Sequence, residues 1–177
     1  MIKRLANPKT ELYRQCKEFI VDENFPWYFT RRTLAPDYQY DRSKHREMSF
    51  LAHSLLVRPH SSTGHHYPIQ QSEYLEHYEK MLMEIFDFNE EKVGCFFRIC
   101  LNLVYPRSGI QLTIPHQDHF YPHKNVLVYL TNSGGETYCE DDVHDPREDD
   151  VITFEGEHYH KLPENDARIV LVATYTS

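Results

Sequence analysis

The chain has 177 residues, which suits one domain and is too short for two of ordinary size. Hydrophobic residues make up 40% and charged residues 26%, a composition typical of globular proteins and not of disordered ones. The formal net charge is −8, which argues against a nucleic-acid partner because phosphates attract basic surfaces.

Neither a membrane segment nor a disulfide framework is indicated. No apolar run approaches the roughly 20 residues of a membrane-spanning helix, and the N-terminus lacks the apolar core of a signal peptide. The four cysteines form no CxxC pair, which favours reduced thiols. We therefore expect no membrane contact and a location in the cytoplasm of a cell or of an infected host.

Two helices are predicted in the first half of the chain. The first begins at Asn7-Pro8, a suitable cap and first-turn pair. Its apolar face repeats at helical spacing, at Leu12, Cys16, Phe19 and Ile20. The second begins near Ser72 and ends after Asp87. Residues 25–66 lie between them without a clear period, and a long irregular segment of this kind is often a lid or a binding loop.

The period changes to two after Gly94, where apolar residues alternate with Arg98, Cys100 and Asn102, as in a half-buried strand. Further strands are predicted at residues 110–114, 125–130, 151–154, 157–162 and 168–175. Helices followed by many short strands predict an α+β, mainly β chain built around an antiparallel sandwich or barrel. The sequence contains no glycine-rich nucleotide-binding loop and no GxSxG, which removes the starting point for nucleotide-binding and serine-hydrolase interpretations.

The stretch His116-Gln117-Asp118 indicates metal chemistry. Residues two apart in a strand point to the same face, so the His116 imidazole and the Asp118 carboxylate can reach one ion. A third ligand from a later strand would complete two imidazoles and one carboxylate, the facial set of non-haem Fe(II) oxygenases. His158 and His160 are two residues apart on a predicted strand, so their side chains point to the same face. Either of them could be the third ligand.

Arg168 strengthens the metal-site interpretation. It opens a strand that is otherwise apolar, so its charge must face either solvent or a partner. A guanidinium fixed at a barrel wall pairs bidentately with a carboxylate. A metal pair, a later histidine and an arginine in this order are much less expected by chance than HxD alone in a chain with 12 histidines.

At these residues the sequence resembles the Fe(II)/2-oxoglutarate-dependent dioxygenases, specifically the prolyl-4-hydroxylase-like branch and its small phage-type members. The resemblance covers roughly residues 93–175. Its further pieces follow in the family's order: Tyr105-Pro106-Arg107-Ser108-Gly109, Tyr129-Leu130-Thr131 and Gly134-Gly135-Glu136-Thr137. The second piece departs mildly from the tyrosine-leucine-asparagine that is frequent in the branch.

The resemblance implies a double-stranded β-helix, or jelly-roll, with N-terminal supporting helices. Residues 1–177 would form a single domain, in which residues 1–92 are helical or irregular support and substrate entrance and residues 93–177 are the catalytic core. Iron would be held by His116, Asp118 and a distal histidine. Arg168 would bind the distal carboxylate of 2-oxoglutarate, with Tyr105 and Tyr129 as candidate hydroxyl donors to this cosubstrate.

The distal histidine is open between two positions. His160 is followed shortly by a leucine and Pro163, as in the family, but it lies only eight residues before Arg168. His158 lies ten residues before Arg168, which fits the family's spacing better. We prefer His160 as the third ligand and keep His158 as the alternative.

The implied activity is hydroxylation that uses Fe(II), 2-oxoglutarate and O2 and gives succinate and CO2. Its leading substrate is a prolyl residue in a peptide or protein, with Trp27 and Tyr28 as candidate substrate contacts at the entrance. One alternative keeps the chemistry and takes a free amino acid or another small molecule as substrate. Another is a cupin-like metal-binding module without oxygenase activity, which Arg168 argues against.

Overall fold

The computed structural model describes residues 1–31, 41–59, 66–108 and 112–177. Within these ranges lie two helices, α1 (Glu11–Ile20) and α2 (Leu75–Phe88). The strands are β1 (Lys3–Leu5), β2 (Tyr28–Thr30), β3 (His45–Arg46), β4 (Phe50–Val57), β5 (Ile69–Gln70), β6 (Cys95–Val104), β7 (Leu112–Thr113), β8 (Lys124–Tyr129), β9 (Thr137–Cys139), β10 (Asp142–His144), β11 (Val151–Phe154), β12 (His158–His160) and β13 (Arg168–Thr176). Neither of the described helices combines the length and the apolarity that crossing a membrane requires.

Both predicted helices are present, and each begins later in the chain than expected. The cap of α1 is Thr10, whose side chain accepts a hydrogen bond from the Tyr13 amide at 3.2 Å. The prediction of a cap at Asn7 is wrong, because the Asn7 side chain instead binds the Asp149 carbonyl at 3.0 Å. Helix α2 begins three residues after Ser72, whose hydroxyl accepts from the Tyr74 amide.

The larger sheet is antiparallel, with strand order β1-β11-β8-β13-β6-β4-β2 and with β5 paired to β4. Strands β8, β11 and β13 confirm the predictions at 125–130, 151–154 and 168–175. Strand β4 differs from expectation, since it forms inside the segment predicted to be irregular. Apolar residues of β4 face both sides of the sheet, so the sequence shows no alternation. Together with β1 and β2, it brings N-terminal residues into the same sheet as the core strands.

A second layer contains the sheet β10-β9-β12 and the parallel pair β3-β7. Two isolated bridges, Leu112 to Lys161 and His116 to His158, join β7 and the residues after it to the region of β12. These two layers form the expected double-stranded β-helix. The predicted strand at 110–114 is described only from Leu112, because residues 109–111 lie outside the described ranges.

The two faces of the larger sheet have different roles. Helix α2 packs its apolar side, which includes Tyr78, Leu82 and Phe86, into the principal core together with outward residues of β6, β8 and β13. Inward residues of β8, β11 and β13 form a second apolar cluster between the layers: Leu127, Tyr129, Ile152, Phe154, Val170 and Val172. The inward face therefore supplies one wall of a cavity between the layers.

Candidate metal centre

A cavity of about 120 Å³ lies against the inward face of the larger sheet. Its apolar lining is Met48, Phe50, Val104, Leu127, Val170 and Val172. Three arginines, Arg58, Arg98 and Arg168, also line it, and Asp118 is the one acidic residue among the described lining residues. The cavity thus combines apolar walls with a strong excess of positive charge.

Three potential metal ligands meet in this cavity. His116, Asp118 and His158 each offer a ligand atom within 4.8 Å of the others, the one such group among the residues that the structure describes. His116 and His158 lie directly opposite each other, since the amide of each donates to the carbonyl of the other at 2.9 and 3.0 Å. Strand pairing therefore places the later histidine beside the HxD pair.

Both imidazoles are oriented by backbone carbonyls two residues earlier. The Nδ1–H of His116 donates to the Ile114 carbonyl at 2.8 Å, and that of His158 donates to the Gly156 carbonyl at 3.3 Å. Each Nε2 is left available to a metal, and such second contacts fix the tautomer of metal-binding histidines. Burial, assisted by the neighbouring His116, lowers the pKa of His158 to about 4, so its imidazole is neutral at pH 7. Neutral imidazole is the form that binds metals.

Asp118 uses its two carboxylate oxygens differently. Its Oδ2 lies 3.7 Å from His158 Nε2, while its Oδ1 accepts from Arg98 Nη1 at 2.8 Å and lies 3.4 Å from Arg58 Nη2. Arg58 also donates to the Asp118 backbone carbonyl. Burial raises the pKa of this carboxyl, but the charge of Arg98, followed by the two histidines and Arg58, holds it below its usual value. Asp118 is therefore an ionised ligand candidate.

His160 lies outside the ligand group, although it lines the same cavity. Its ring centroid is 6.5 Å from that of His116, compared with 4.5 Å for His158. Its Nδ1 is 2.8 Å from Thr137 Oγ1, and its backbone amide donates to Thr113. The geometry therefore favours His158, the alternative from sequence, over the preferred His160. The physical reason is register, because His158 and not His160 is the partner of His116 across the bridge.

Arg168 is buried, and its charge has no partner among the described carboxylates. Its Nη1 donates to the carbonyls of Gly135 at 2.8 Å and Lys161 at 3.0 Å, while its Nε has no hydrogen-bond partner. Burial lowers the pKa of the guanidinium. A buried ion without a counter-charge costs several kcal/mol. The cavity at Arg168 is therefore suited to an anionic ligand.

Gly135 explains how the Arg168 guanidinium is held in place. Gly135 has φ +87°, and a Cβ there would lie 2.8 Å from Arg168 Nη1 and 2.7 Å from the Lys161 carbonyl oxygen. No larger side chain fits between these atoms. The Gly-Gly-Glu-Thr motif thus has a structural role, since its second glycine permits the close approach of the buried arginine.

Of the two tyrosines proposed as cosubstrate contacts, Tyr129 borders the cavity. Its hydroxyl is hydrogen-bonded to Thr137 Oγ1, and burial raises its pKa to about 12, so it stays protonated and can donate. Tyr105 is 56% exposed and is not among the residues that line the cavity. The candidate substrate contacts also lie elsewhere: Trp27 packs against Phe25, and Tyr28 lines a separate surface depression.

Sequence reasoning missed Arg58 and Arg98, and it named Thr137 only as part of a motif. A signal existed for Arg98, which alternates with apolar residues on β6 and so belongs to the inward face. The face of β6 that includes Arg98 was expected to be the exposed face of a half-buried strand, whereas the second layer of the fold covers it. No comparable signal marks Arg58.

The residues present fit a divalent metal and an acid. Two neutral imidazoles and one carboxylate form the donor set that non-haem Fe(II) sites use, with adjacent positions left for other ligands. The unpaired Arg168 on the same cavity suits the carboxylate of a second ligand.

Comparison with known proteins finds similarity at the level of structure. No family model and no curated protein matches the sequence. A 2OG-Fe(II) oxygenase family oxidoreductase from Burkholderia pseudomallei superposes with a TM-score of 0.61 at 14% identity, covering 94% of this chain and 78% of that chain. The non-heme alpha ketoglutarate dependent epimerase SnoN superposes with a TM-score of 0.58 at 11% identity, covering 99% and 77%. These likenesses show the fold, a double-stranded β-helix.

A Pseudomonas putida prolyl-4-hydroxylase superposes less well, with a TM-score of 0.41 at 14% identity, covering 84% of this chain and 91% of that chain. A superposition at that level carries no information on the branch or on the substrate. Assignment to the prolyl-hydroxylase-like branch and to its phage-type members therefore stays a prediction from sequence motifs.

Proposed function

We propose that the protein is an oxygenase that uses Fe(II), 2-oxoglutarate and O2 to hydroxylate its substrate, with succinate and CO2 as the other products. The observation that carries the proposal is one cavity that contains the group His116, Asp118 and His158 together with the unpaired, buried Arg168. A metal-binding module without oxygenase chemistry has no need for the buried cation.

The chemistry of the proposed cofactors is oxidative decarboxylation of 2-oxoglutarate coupled to hydroxylation of a C–H bond. The two imidazoles and the Asp118 carboxylate would hold the metal. Arg168 pairs with the distal carboxylate of 2-oxoglutarate, and the carbonyls of Gly135 and Lys161 fix its guanidinium in that direction. Tyr129 keeps its proton and lies beside the same subsite. The apolar walls of the cavity exclude water from the reacting groups.

For the substrate, a prolyl residue in a peptide or protein remains the leading proposal. It is supported by the order of motifs from Tyr105 to Arg168, of which Gly134-Gly135-Glu136-Thr137 is the most specific to the prolyl-hydroxylase-like branch. A free amino acid or another small molecule is the alternative. Proline-rich peptides incubated with the protein, Fe(II) and 2-oxoglutarate and examined by mass for one gained oxygen separate the two.

The chemistry is tested before any substrate is known. We expect succinate to form in air when the protein is given Fe(II) and 2-oxoglutarate. Arg168→Met should raise the 2-oxoglutarate concentration for half-maximal succinate formation at least about 30-fold, because a buried charge pair contributes about 2 kcal/mol or more. Succinate formation with an unchanged requirement in Arg168→Met would contradict the assigned role of Arg168.

A further inference from the structure

The cavity contains a second cationic region that the proposed cofactors do not use. On the paired strands β13 and β6, Arg168 lies opposite Val104, whereas Arg98 lies opposite Thr174. Arg98 and Arg168 are thus six residues apart in register, a distance of roughly 20 Å along the strands. The Arg98 and Arg168 side chains therefore enter the cavity from well-separated positions along the strands.

Arg58 and Arg98 converge on one acceptor. Both guanidiniums approach Asp118 Oδ1, at 3.4 and 2.8 Å, and Arg58 also donates to the Asp118 carbonyl. The carboxylate has a single negative charge, and in the proposed enzyme its other oxygen faces the metal. Two adjacent guanidiniums therefore share part of one carboxylate.

The charge excess persists when the proposed cofactors are bound, and this step rests on the proposed function. Fe(II) and the 2-oxoglutarate dianion have opposite and equal formal charges. The loaded cavity therefore still contains Arg58, Arg98 and Arg168 against Asp118, beside walls such as Phe50 and Val172. An uncompensated positive charge next to apolar walls is costly, and an anion from outside relieves the cost.

Arg58 is the arginine that an incoming group can reach. Its side chain is 36% exposed, whereas that of Arg98 is 18% exposed and that of Asp118 is 5% exposed. The chain as a whole has a net charge of −8 and therefore repels anions. The positively charged cavity is a place where an anion is attracted instead.

We propose that Arg58 and Arg98 form a subsite for an anionic oxygen group of the substrate, either a carboxylate or a phosphate. Arg58 contacts Asp118, which is one of the proposed metal ligands. An anion paired with Arg58 would therefore hold a neighbouring C–H bond of the substrate close to the metal. The substrate is then an acid, or a peptide with an acidic group close to the reacting residue. The competing explanation is that the two arginines only orient Asp118.

The test is a calorimetric titration of the whole protein loaded with Fe(II) and 2-oxoglutarate under nitrogen. The probes are inorganic phosphate and, separately, acetate, at an ionic strength held constant with sodium chloride. We expect saturable binding of one anion per chain, weakened at least tenfold in Arg58→Gln. Tighter phosphate binding assigns a phosphate group to the substrate, and tighter acetate binding assigns a carboxylate.

The matched control is Arg14→Gln, because Arg14 is an exposed arginine on α1 that pairs with Glu11. It should bind both probes like the original chain. Absence of saturable binding, or equal binding by Arg58→Gln, would overturn the inference. Loss of iron from Arg58→Gln would also overturn it, since Arg58 would then act as a positioning residue for Asp118. Succinate formation by the original chain reports on the proposed function separately, and its persistence without anion binding would refute the subsite alone.

Discussion

One carboxylate, that of Asp118, has two sets of neighbours in the cavity. Its Oδ1 faces Arg98 and Arg58, and its Oδ2 faces His158. Arg98, the closer of the two arginines, keeps Asp118 ionised and fixes its plane, so that the other oxygen faces His158. Such supporting contacts set the affinity of a metal site as well as its geometry.

At the residue scale, replacing each of the two distal histidines by alanine tests which of them binds iron. His158→Ala should lower Fe(II) affinity by more than about 100-fold, since loss of an outer contact alone typically costs 10- to 100-fold. His160→Ala should retain iron within about tenfold of the original chain, because His160 is bonded to Thr137 and not to the ligand group. Anaerobic equilibrium dialysis with Fe(II) measures both affinities.

Folding controls are needed for that comparison, because both histidines are partly or fully buried. Circular dichroism and the unfolding midpoint of the metal-free variants show whether each still folds. The assignment is contradicted if folded His160→Ala loses iron while folded His158→Ala retains it.

The sequence could predict His116, Asp118 and Arg168, because strand parity and position on a strand are local properties. It could not rank His158 against His160. Both have the same parity, and the spacings to Pro163 and to Arg168 favour different answers. Only the bridge between His116 and His158, which joins residues 42 positions apart in sequence, favours one of them, His158.

At the scale of elements, the turn before β9 and the start of β13 act as one unit. Gly135 lies against the Arg168 guanidinium, and its φ of +87° is in the left-handed region. The same turn leads into Thr137, which joins the Tyr129 hydroxyl to His160. The proposed 2-oxoglutarate subsite therefore depends on a connection between strands as much as on the strands.

Gly135→Ala should consequently displace Arg168. We expect a lower affinity for 2-oxoglutarate and a lower free energy of unfolding. The backbone conformation alone should lower the free energy of unfolding by about 1–2 kcal/mol, and the clash should lower it further. Gly134→Ala is the matched control, since Gly134 also has positive φ but a Cβ there meets nothing closer than 3.8 Å. Chemical denaturation and 2-oxoglutarate titration measure the two effects. If Gly135→Ala and Gly134→Ala had equal 2-oxoglutarate affinities and equal free energies of unfolding, Gly135 would not be what holds Arg168 in place.

Elements with a clear period were predictable, and those without one were not. Strand β6 alternates from Phe97 to Leu103, and α2 has one apolar face, so both were expected from sequence. Strand β4 has apolar residues facing both sides, because it packs on α2 and on the cavity layer, and alternation is then lost. The cap at Thr10 was missed because Asn7-Pro8 offers a competing local signal three residues earlier.

At the scale of the whole molecule, buried histidines predict how stability depends on pH. Burial lowers the pKa of His158 to about 4 and that of His119 to about 3. In the unfolded chain each titrates near about 6.5. The unfolded state therefore binds protons first, so the stability contribution is complete above pH about 6.5 and is lost as the pH falls toward these folded values.

For the metal-free protein we expect the free energy of unfolding to decrease between pH 6.5 and 4.5, by up to about 1.4 kcal/mol per pH unit for each such histidine. Urea denaturation in the presence of a chelator measures it. His119→Gln keeps a group that can bond to Thr174 and should reduce the slope. A flat profile in this range would contradict the neutrality of the buried imidazoles.

Iron and 2-oxoglutarate are proposed to bind together in the cavity between the two layers. Anaerobic addition of Fe(II) and 2-oxoglutarate should produce the visible charge-transfer band of the chelate, if His116, Asp118 and His158 hold the metal as proposed. The band should be absent in His158→Ala and should require much more 2-oxoglutarate in Arg168→Met. Absence of any band from the original chain with Fe(II) bound would contradict the account.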